Sequence, residues 1–232
     1  MHRTPSSWTA IIPLRAGSKG LLGKNTRVLA GKPLYVHAVD VALAAGAARV
    51  VISTDIAQVL EAQLPDRVEA LARPPELCGD QVPMAPVLVH ALQASESSGT
   101  VVLLQATSPL RHRDDVMAAL RVFDAGDYEL VMSVTEADRG VLKWGRLDGS
   151  RFVPLSEPAF CFSNRQSLPP VVRPNGAIYV FQAEWFVRRG GFETEHMGVI
   201  EMPAQRSLDI DSLADFERCE AALAAIKQGM SS

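Results

Sequence analysis

Acidic side chains are missing from the start of this sequence. No Asp or Glu precedes Asp40, whereas Arg3, Arg15, Lys19, Lys24, Arg27 and Lys32 all do. The net charge of the 232 residues is −3, so the chain as a whole exerts no pull on nucleic acid or an anionic membrane. A cationic segment on a mildly acidic protein suits a small anionic ligand better than a long polyanion. Cysteine is scarce as well. Cys78, Cys161 and Cys219 are odd in number, widely spaced and form no C-x-x-C pair. That pattern excludes a disulfide framework and a zinc site, and it fits a reducing compartment. No run is apolar and long enough to span a bilayer. The opening "MHRTPSSWTAIIPL" lacks the sustained apolar core and cleavage-like site of a signal peptide. A soluble, cytoplasmic protein is expected, with neither nucleic acid nor membrane as partner. Internal repeats and low-complexity tracts are also absent.

What is present is an ordinary globular composition, 47% hydrophobic and 21% charged, at a length that fills one domain with a small appendage. Short apolar runs alternate with helical patterns. "WTAIIPL", "ARVVIST", "TVVLLQAT" and "ELVMSVT" read as strands. "KPLYVHAVDVALAAG", a segment near Ile56 to Gln63, "MAPVLVHALQASE" and "DDVMAALRVFDAG" read as helices. Strands apolar throughout and separated by helices predict an α/β layered, mostly parallel sheet covered on both faces. Its ligand is then expected at the carboxyl ends of the strands. From Asp138 to Arg173 the rhythm breaks. "LKWGRLDGSRFVPL" reads as a hairpin turning at Asp148-Gly149, and the proline-rich "SEPAFCFSNRQSLPPVVRP" follows it. The α/β pattern resumes with "NGAIYVF", a helix around Glu184 to Arg189, the strand "MGVIEMP" and a last helix carrying Phe216, Cys219, Leu223 and Ile226.

The first strand runs into "LRAGSKGLLGKN", where Gly17, Gly20 and Gly23 are interleaved with Arg15, Lys19 and Lys24. Glycines let backbone N–H groups turn toward an anion and lysines supply countercharge, so the loop suits phosphates. It is neither a Walker A motif nor a G-x-G-x-x-G fingerprint, and a solvated glycine-rich turn has the same composition. Near the other end, Asp209 and Asp211 lie two apart in "LDID". In an extended segment both carboxylates share a face and suit Mg²⁺, which binds through one or two carboxylates plus substrate phosphates. The alternative is that Asp211 or Ser212 caps the last helix, with Asp215 in its first turn.

"IIPLRAGSKGLLGKN" resembles the opening signature of the CMP-sialic acid synthetases, or acylneuraminate cytidylyltransferases. The resemblance continues in order through "STD" (53–55), "RPPELCGD" (73–80), "LLQATSPLR" (103–111), "NGAIYVF" (175–181) and "SLDIDSLADFE" (207–217). The departures are Ala16, Leu22, Cys78 and Gly79, none of which removes a charged group. The resemblance implies a three-layer Rossmann-like nucleotidyltransferase fold. Residues 1–137 and 174–232 would form its core, and residues 138–173 a hairpin-containing excursion that makes a homodimer contact and reaches the partner's cleft. It implies transfer of CMP from CTP to a sialic-acid-like, nine-carbon nonulosonic acid with release of pyrophosphate, aided by Mg²⁺. The related activation of 3-deoxy-manno-octulosonic acid and a noncatalytic nucleotide-binding relative are the alternatives.

By the same resemblance, Arg15, Ser18, Lys19 and Lys24 meet the triphosphate, with Lys24 on the α-phosphate. Asn25 and Arg73 contact the nucleotide. Asp209 and Asp211 hold the metal and, with Lys24, form the catalytic set. Gln105, Lys143, Arg165 and Asn175 meet the sugar, Lys143 and Arg165 through its carboxylate. Lys143 reads equally well as an exposed hairpin lysine. Asp55 either orients the nucleotide or caps the next helix. Trp144 is expected to pack within the excursion, and His37 and His90 to be packed or partly exposed rather than ligands. Residues 179–192 are where sugar-discriminating contacts are expected.

Overall fold

The computed structural model describes residues 7–17 and 20–229, with side chains to residue 226. Eleven strands and six helices follow one another along these residues. The strands are β1 (Trp8–Pro13), β2 (Val28–Leu29), β3 (Lys32–Pro33), β4 (Arg49–Thr54), β5 (Val68–Ala72), β6 (Thr100–Leu104), β7 (Leu130–Ala137), β8 (Gly145–Asp148), β9 (Arg151–Pro154), β10 (Val171–Gln182) and β11 (Met197–Glu201). The helices are α1 (Leu34–Ala44), α2 (Ala57–Leu60), α3 (Met84–Ala94), α4 (Arg113–Ala125), α5 (Ala183–Arg189) and α6 (Leu213–Gly229).

Seven strands make one sheet in the order β11-β7-β10-β6-β1-β4-β5. All its pairings are parallel except the two made by β10. Every residue of β6 is buried, as a central strand covered on both faces requires. On one face Ala38, Val39 and Ala42 of α1 and Val116, Ala119 and Leu120 of α4 pack against Ile12, Ile52 and Val102. On the other, Leu88 and Leu92 of α3 and Phe186 of α5 pack against Ile11, Leu103 and Phe181. The result is the three-layer α/β arrangement expected from the apolar strand pattern. No helix among the described residues is long and apolar enough to cross a membrane.

The helix limits follow local chemistry. Pro33 immediately precedes α1, and Gly46 takes φ 88° just beyond it, a conformation glycine adopts without a Cβ penalty. In α4 the His112 side chain and Asp115 complete a reciprocal capping box. Three features of the main sheet and its helices differ from the sequence reading. The helix expected over 56–63 is shortened to α2. Strand β5 was not anticipated, because an edge strand paired on one side is half-buried and its "VEALA" carries a weak apolar signal. Strand β10 runs antiparallel to both neighbours and starts at Val171, inside the segment read as excursion; its register shifts between Pro174 and Tyr179, where Gly176 takes φ 77°.

The hairpin is present as β8 and β9, paired from Gly145↔Pro154 to Asp148↔Arg151. That register makes Gly149 and Ser150 the connecting pair, one residue later than expected, with Gly149 at φ 61°. Two further tight turns, Pro158–Phe162 and Arg165–Ser167, complete the segment. Trp144 does not pack there as expected: it is exposed, with Leu147, Leu155 and Phe162.

Candidate active site

The glycine loop leaves β1 at the carboxyl edge of the sheet, where Leu14 N–H donates to Ser53 O (2.8 Å). Two carboxylates from neighbouring loops then hold it. Asp55 accepts from Ala16 N–H (2.8 Å), and Asp80 pairs with the Arg15 guanidinium. The amide just before α2 is capped by Thr54 Oγ1 instead (Ile56 N–H, 3.1 Å). Asp55 is therefore a loop tether and not a helix cap. Asn25 braces the loop from within, its Nδ2 donating to Arg15 O (3.0 Å). Gly23 takes φ 64° to start the short turn Lys24–Thr26, which buries Lys24 and Asn25.

Lys24 is the loop's link to the distant acid pair. Its Nζ donates to Ile210 O (2.5 Å) and to Asp211 Oδ1 (3.1 Å). Asp211 keeps most of its side chain in solvent, so its oxygens stay accessible beside the ammonium. The two capping alternatives separate cleanly. Ser212 caps α6, its Oγ accepting from Asp215 N–H (3.2 Å), and Asp215 Oδ2 accepts from Ser212 N–H (2.8 Å) and Asp211 N–H (3.2 Å). The Ser212 hydroxyl, which donates in turn to Asp215 Oδ2 (2.6 Å), then Arg218 and the two backbone amides hold the Asp215 carboxyl below its ordinary range. Asp211's own carboxylate is left to the cleft. Asp209 sits on the same wall. The protein mass around it and then the Asp211 charge push its carboxyl up, against the pull of Thr107 and Lys24. Placing two carboxylates together in this way is costly unless something positive lies between them.

Arg73 and Gln105 close the cleft. Arg73 follows β5 and is buried, its Nη2 bonded to Ser53 O (2.8 Å). Burial lowers its pKa and Asp55 partly restores it. Gln105 follows β6, and its carbonyl accepts from Arg111 Nη2 (2.6 Å), while Arg111 Nη1 holds Ala177 O (2.6 Å). Arg111 is itself buried, which pushes its pKa down to about 9, so it stays cationic at neutral pH. It ties the end of β6 to β10 beneath the cleft. The cavity so formed has a volume of about 200 Å³ and brings together Arg15, Lys24, Asn25, Arg73, Gln105, Asp209 and Asp211. Ser18 and Lys19 lie outside the described residues. Thr107, Met84 and Gly17 also line it. Neither Thr107 nor Arg111 was singled out in the sequence, although both stand in the stretch "LLQATSPLR".

A sequence model of the family described as cytidylyltransferase matches residues 9–142, more than half of the chain. The chain belongs to the cytidylyltransferase family. It is 33% identical over 217 residues to the N-acylneuraminate cytidylyltransferase of Streptococcus agalactiae, covering 89% of this chain and 51% of that protein. It thus spans about half the length of such relatives. It is 29% identical over 224 residues to the CMP-N,N'-diacetyllegionaminic acid synthase of Legionella pneumophila, covering 91% and 94% of the two chains. A solved structure of a CMP:2-keto-3-deoxy-manno-octonic acid synthetase complexed with CTP superposes with a TM-score of 0.72 at 20% identity, covering 95% of this chain and 99% of that one. That last likeness is one of fold.

Three of the residues expected to meet a sugar are not on the cleft of this family member. Lys143 lies half-buried at the end of a turn in the 138–170 segment. Arg165 is exposed and paired with Asp138 (2.9 Å). Asn175 requires a correction, because it is buried and its amide is committed inside the protein. Its Oδ1 accepts from Ser133 Oγ (2.6 Å) and Ala177 N–H (3.2 Å), and its Nδ2 donates to Ser207 Oγ (2.9 Å) and Met202 Sδ (3.5 Å). It knits β10 to β7 and to the segment leading into Asp209, and has no group left to offer a ligand.

Proposed function

We propose that this chain transfers CMP from CTP to a nine-carbon, sialic-acid-like nonulosonic acid, releasing pyrophosphate. The observation that carries the reading is the meeting of Lys24, from the glycine loop, with Asp209 and Asp211, from the other end of the chain, in one cleft. Such transfer needs little covalent chemistry from the protein. It needs the triphosphate gathered, the sugar hydroxyl aligned with the α-phosphorus, and the developing charge held. Arg15 and Lys24 supply positive charge where the triphosphate would lie. In this reading Arg73 and Asn25, which line the same cleft, would meet the nucleotide, and Gln105 would accept from and donate to sugar hydroxyls.

The donor set fits Mg²⁺. Two carboxylates line the cleft, and no cluster of three or more His, Cys, Asp or Glu that could hold a metal occurs among the described residues. That suits an ion that keeps waters and takes phosphate oxygens, not an all-protein cage. Asp209 and Asp211 would hold it, and when bound it would neutralise phosphate charge. Lys24 keeps its ammonium on the same wall and would meet the α-phosphate directly.

We further infer that the chain works as a homodimer through residues 138–170. Support comes from the concentration of large apolar side chains exposed there: Phe162 is 92% exposed, Leu147 80% and Trp144 62%. In this reading Lys143 and Arg165 serve the partner's cleft.

The test is pyrophosphate release by the purified protein with CTP, Mg²⁺ and a panel of eight- and nine-carbon acidic sugars, with ATP, GTP and UTP as controls. Release that requires CTP and a nine-carbon acid is expected. Release with the eight-carbon acid alone, or none from a folded protein that binds CTP, would overturn the assignment.

A further inference from the structure

Gly20 is a glycine for a reason of space. It is not among the cleft-lining residues. A Cβ placed on Gly20 would instead lie 2.0 Å from the carbonyl oxygen of Asp211 and 3.2 Å from its carbonyl carbon. Both are backbone atoms, so no flexible side chain can swing aside. Two adjacent contacts land on the same place. Leu21 shares a buried apolar cluster with Ile210 and Phe216, and Lys24 Nζ reaches Ile210 O at 2.5 Å and Asp211 Oδ1 at 3.1 Å. Three positions of one loop thus seat on two consecutive residues from the far end of the chain.

We propose that Gly20 is a positioning residue: its missing side chain lets the loop lie directly on the Asp211 peptide, and that contact keeps Lys24 and Asp211 in register. The functional part of this inference rests on the cytidylyltransferase reading above. The geometry does not. A methyl group at position 20 must lift the loop or push the Asp211 peptide away by about an ångström or more, since Cβ atoms essentially never approach another heavy atom within 3.0 Å. Either movement separates the ammonium from the carboxylate it now meets. Misplacement of that size in a site that acts by alignment costs on the order of 10²-fold in rate.

The experiment compares Gly20→Ala with the wild type and with Gly191→Ala, a glycine in the loop after α5 whose added Cβ meets nothing within 4 Å. Gly20→Ala is expected to lower kcat for pyrophosphate release at least tenfold and to weaken CTP binding, measured by calorimetry in EDTA. Gly191→Ala is expected to change neither. In a Lys24→Met background Gly20→Ala should alter kcat and CTP affinity less than twofold, because the pairing it disturbs is already gone. Additive effects would mean general damage and would overturn the proposal. So would a crystal structure of Gly20→Ala that keeps the 3.1 Å Lys24–Asp211 contact, whatever the activity. Should Gly20→Ala fail to fold, Leu21→Ala carries the test by loosening the same seat: a kcat loss that persists undiminished with Lys24→Met would again refute it. A wild type silent with every sugar condemns the function proposed above, while the crystal structure still judges Gly20.

Discussion

Replacing Asp211 by Asn separates the chemical role of this side chain from its structural one. Asn keeps the shape and an Oδ1 acceptor for Lys24, but removes the charge. The structural cost should be small. Asp211's side chain is 79% exposed, so its pair with Lys24 is screened and worth about 1 kcal/mol at most. Lys24 also keeps Ile210 O as a partner, so no buried ammonium is stranded. For a chain of this size that predicts a melting temperature lowered by about 2–4 °C. The chemical cost should be large, because the cleft loses one of the two carboxylates able to hold a divalent cation against phosphate. A fall in kcat of about 10² corresponds to roughly 3 kcal/mol of transition-state stabilisation, a reasonable share for such an ion. The assay is pyrophosphate release at saturating CTP across a Mg²⁺ series, alongside thermal unfolding and calorimetric CTP binding in EDTA. Metal-free CTP affinity should change no more than about threefold, since one repulsive charge leaves and no phosphate contact is lost. Turnover within threefold of the wild type would refute the metal-side role, and a melting temperature lowered by 10 °C or more would show that Asp211 is chiefly structural.

Other consequences are open to direct measurement. Asn175→Ala strips partners from Ala177 N–H and Ser207 Oγ in the interior and should cost about 2–3 kcal/mol, read as a lower denaturant midpoint with unchanged m value; an unchanged midpoint would contradict its buried network. Cys219 is fully buried, and burial pushes its thiol up to about 11. At pH 8 the reactive thiolate is then roughly a thousandth of the total, and mass spectrometry should find Cys219 alkylated by iodoacetamide only in denaturant. Native-state labelling as fast as that of Cys161 would mean that α6 does not pack as described. Leu147→Asp combined with Phe162→Asp should convert a dimer to a monomer in analytical ultracentrifugation without altering the far-ultraviolet circular dichroism, and a wild type already monomeric at micromolar concentration would remove the case for a shared interface.

Much of the architecture was readable because it depends on short-range pattern. Fully apolar runs such as "TVVLL" have to be covered on both faces, and helices such as α1 carry their boundaries in Pro33 and Gly46. Less was readable where pairing decides. Neither the half-buried β5 nor the direction of β10 is written in residue spacing, since an isolated apolar segment pairs equally well either way. The hairpin's turn moved by one residue for the same reason, its register being set across strands.

The candidate site divides along the same line. The sequence alone determined which chemistry is on offer: a cationic, glycine-bearing loop after the first strand, and a pair of acids ahead of the last helix. It also pointed to the carboxyl edge of a parallel sheet, where the cleft lies. Only the tertiary structure decided that Lys24 meets Asp211, 187 positions away, that Asp55 ties the loop while Ser212 caps the helix, and that Asn175 is spent inside the protein. It also decided that Gly20 is needed for space and Gly23 for its turn. The reason is physical. Residue type and local spacing fix charge, hydrogen-bonding capacity and backbone preference, whereas a close contact between distant segments exists only once the sheet and α6 bring them together, and identical residues then serve different ends according to what they touch.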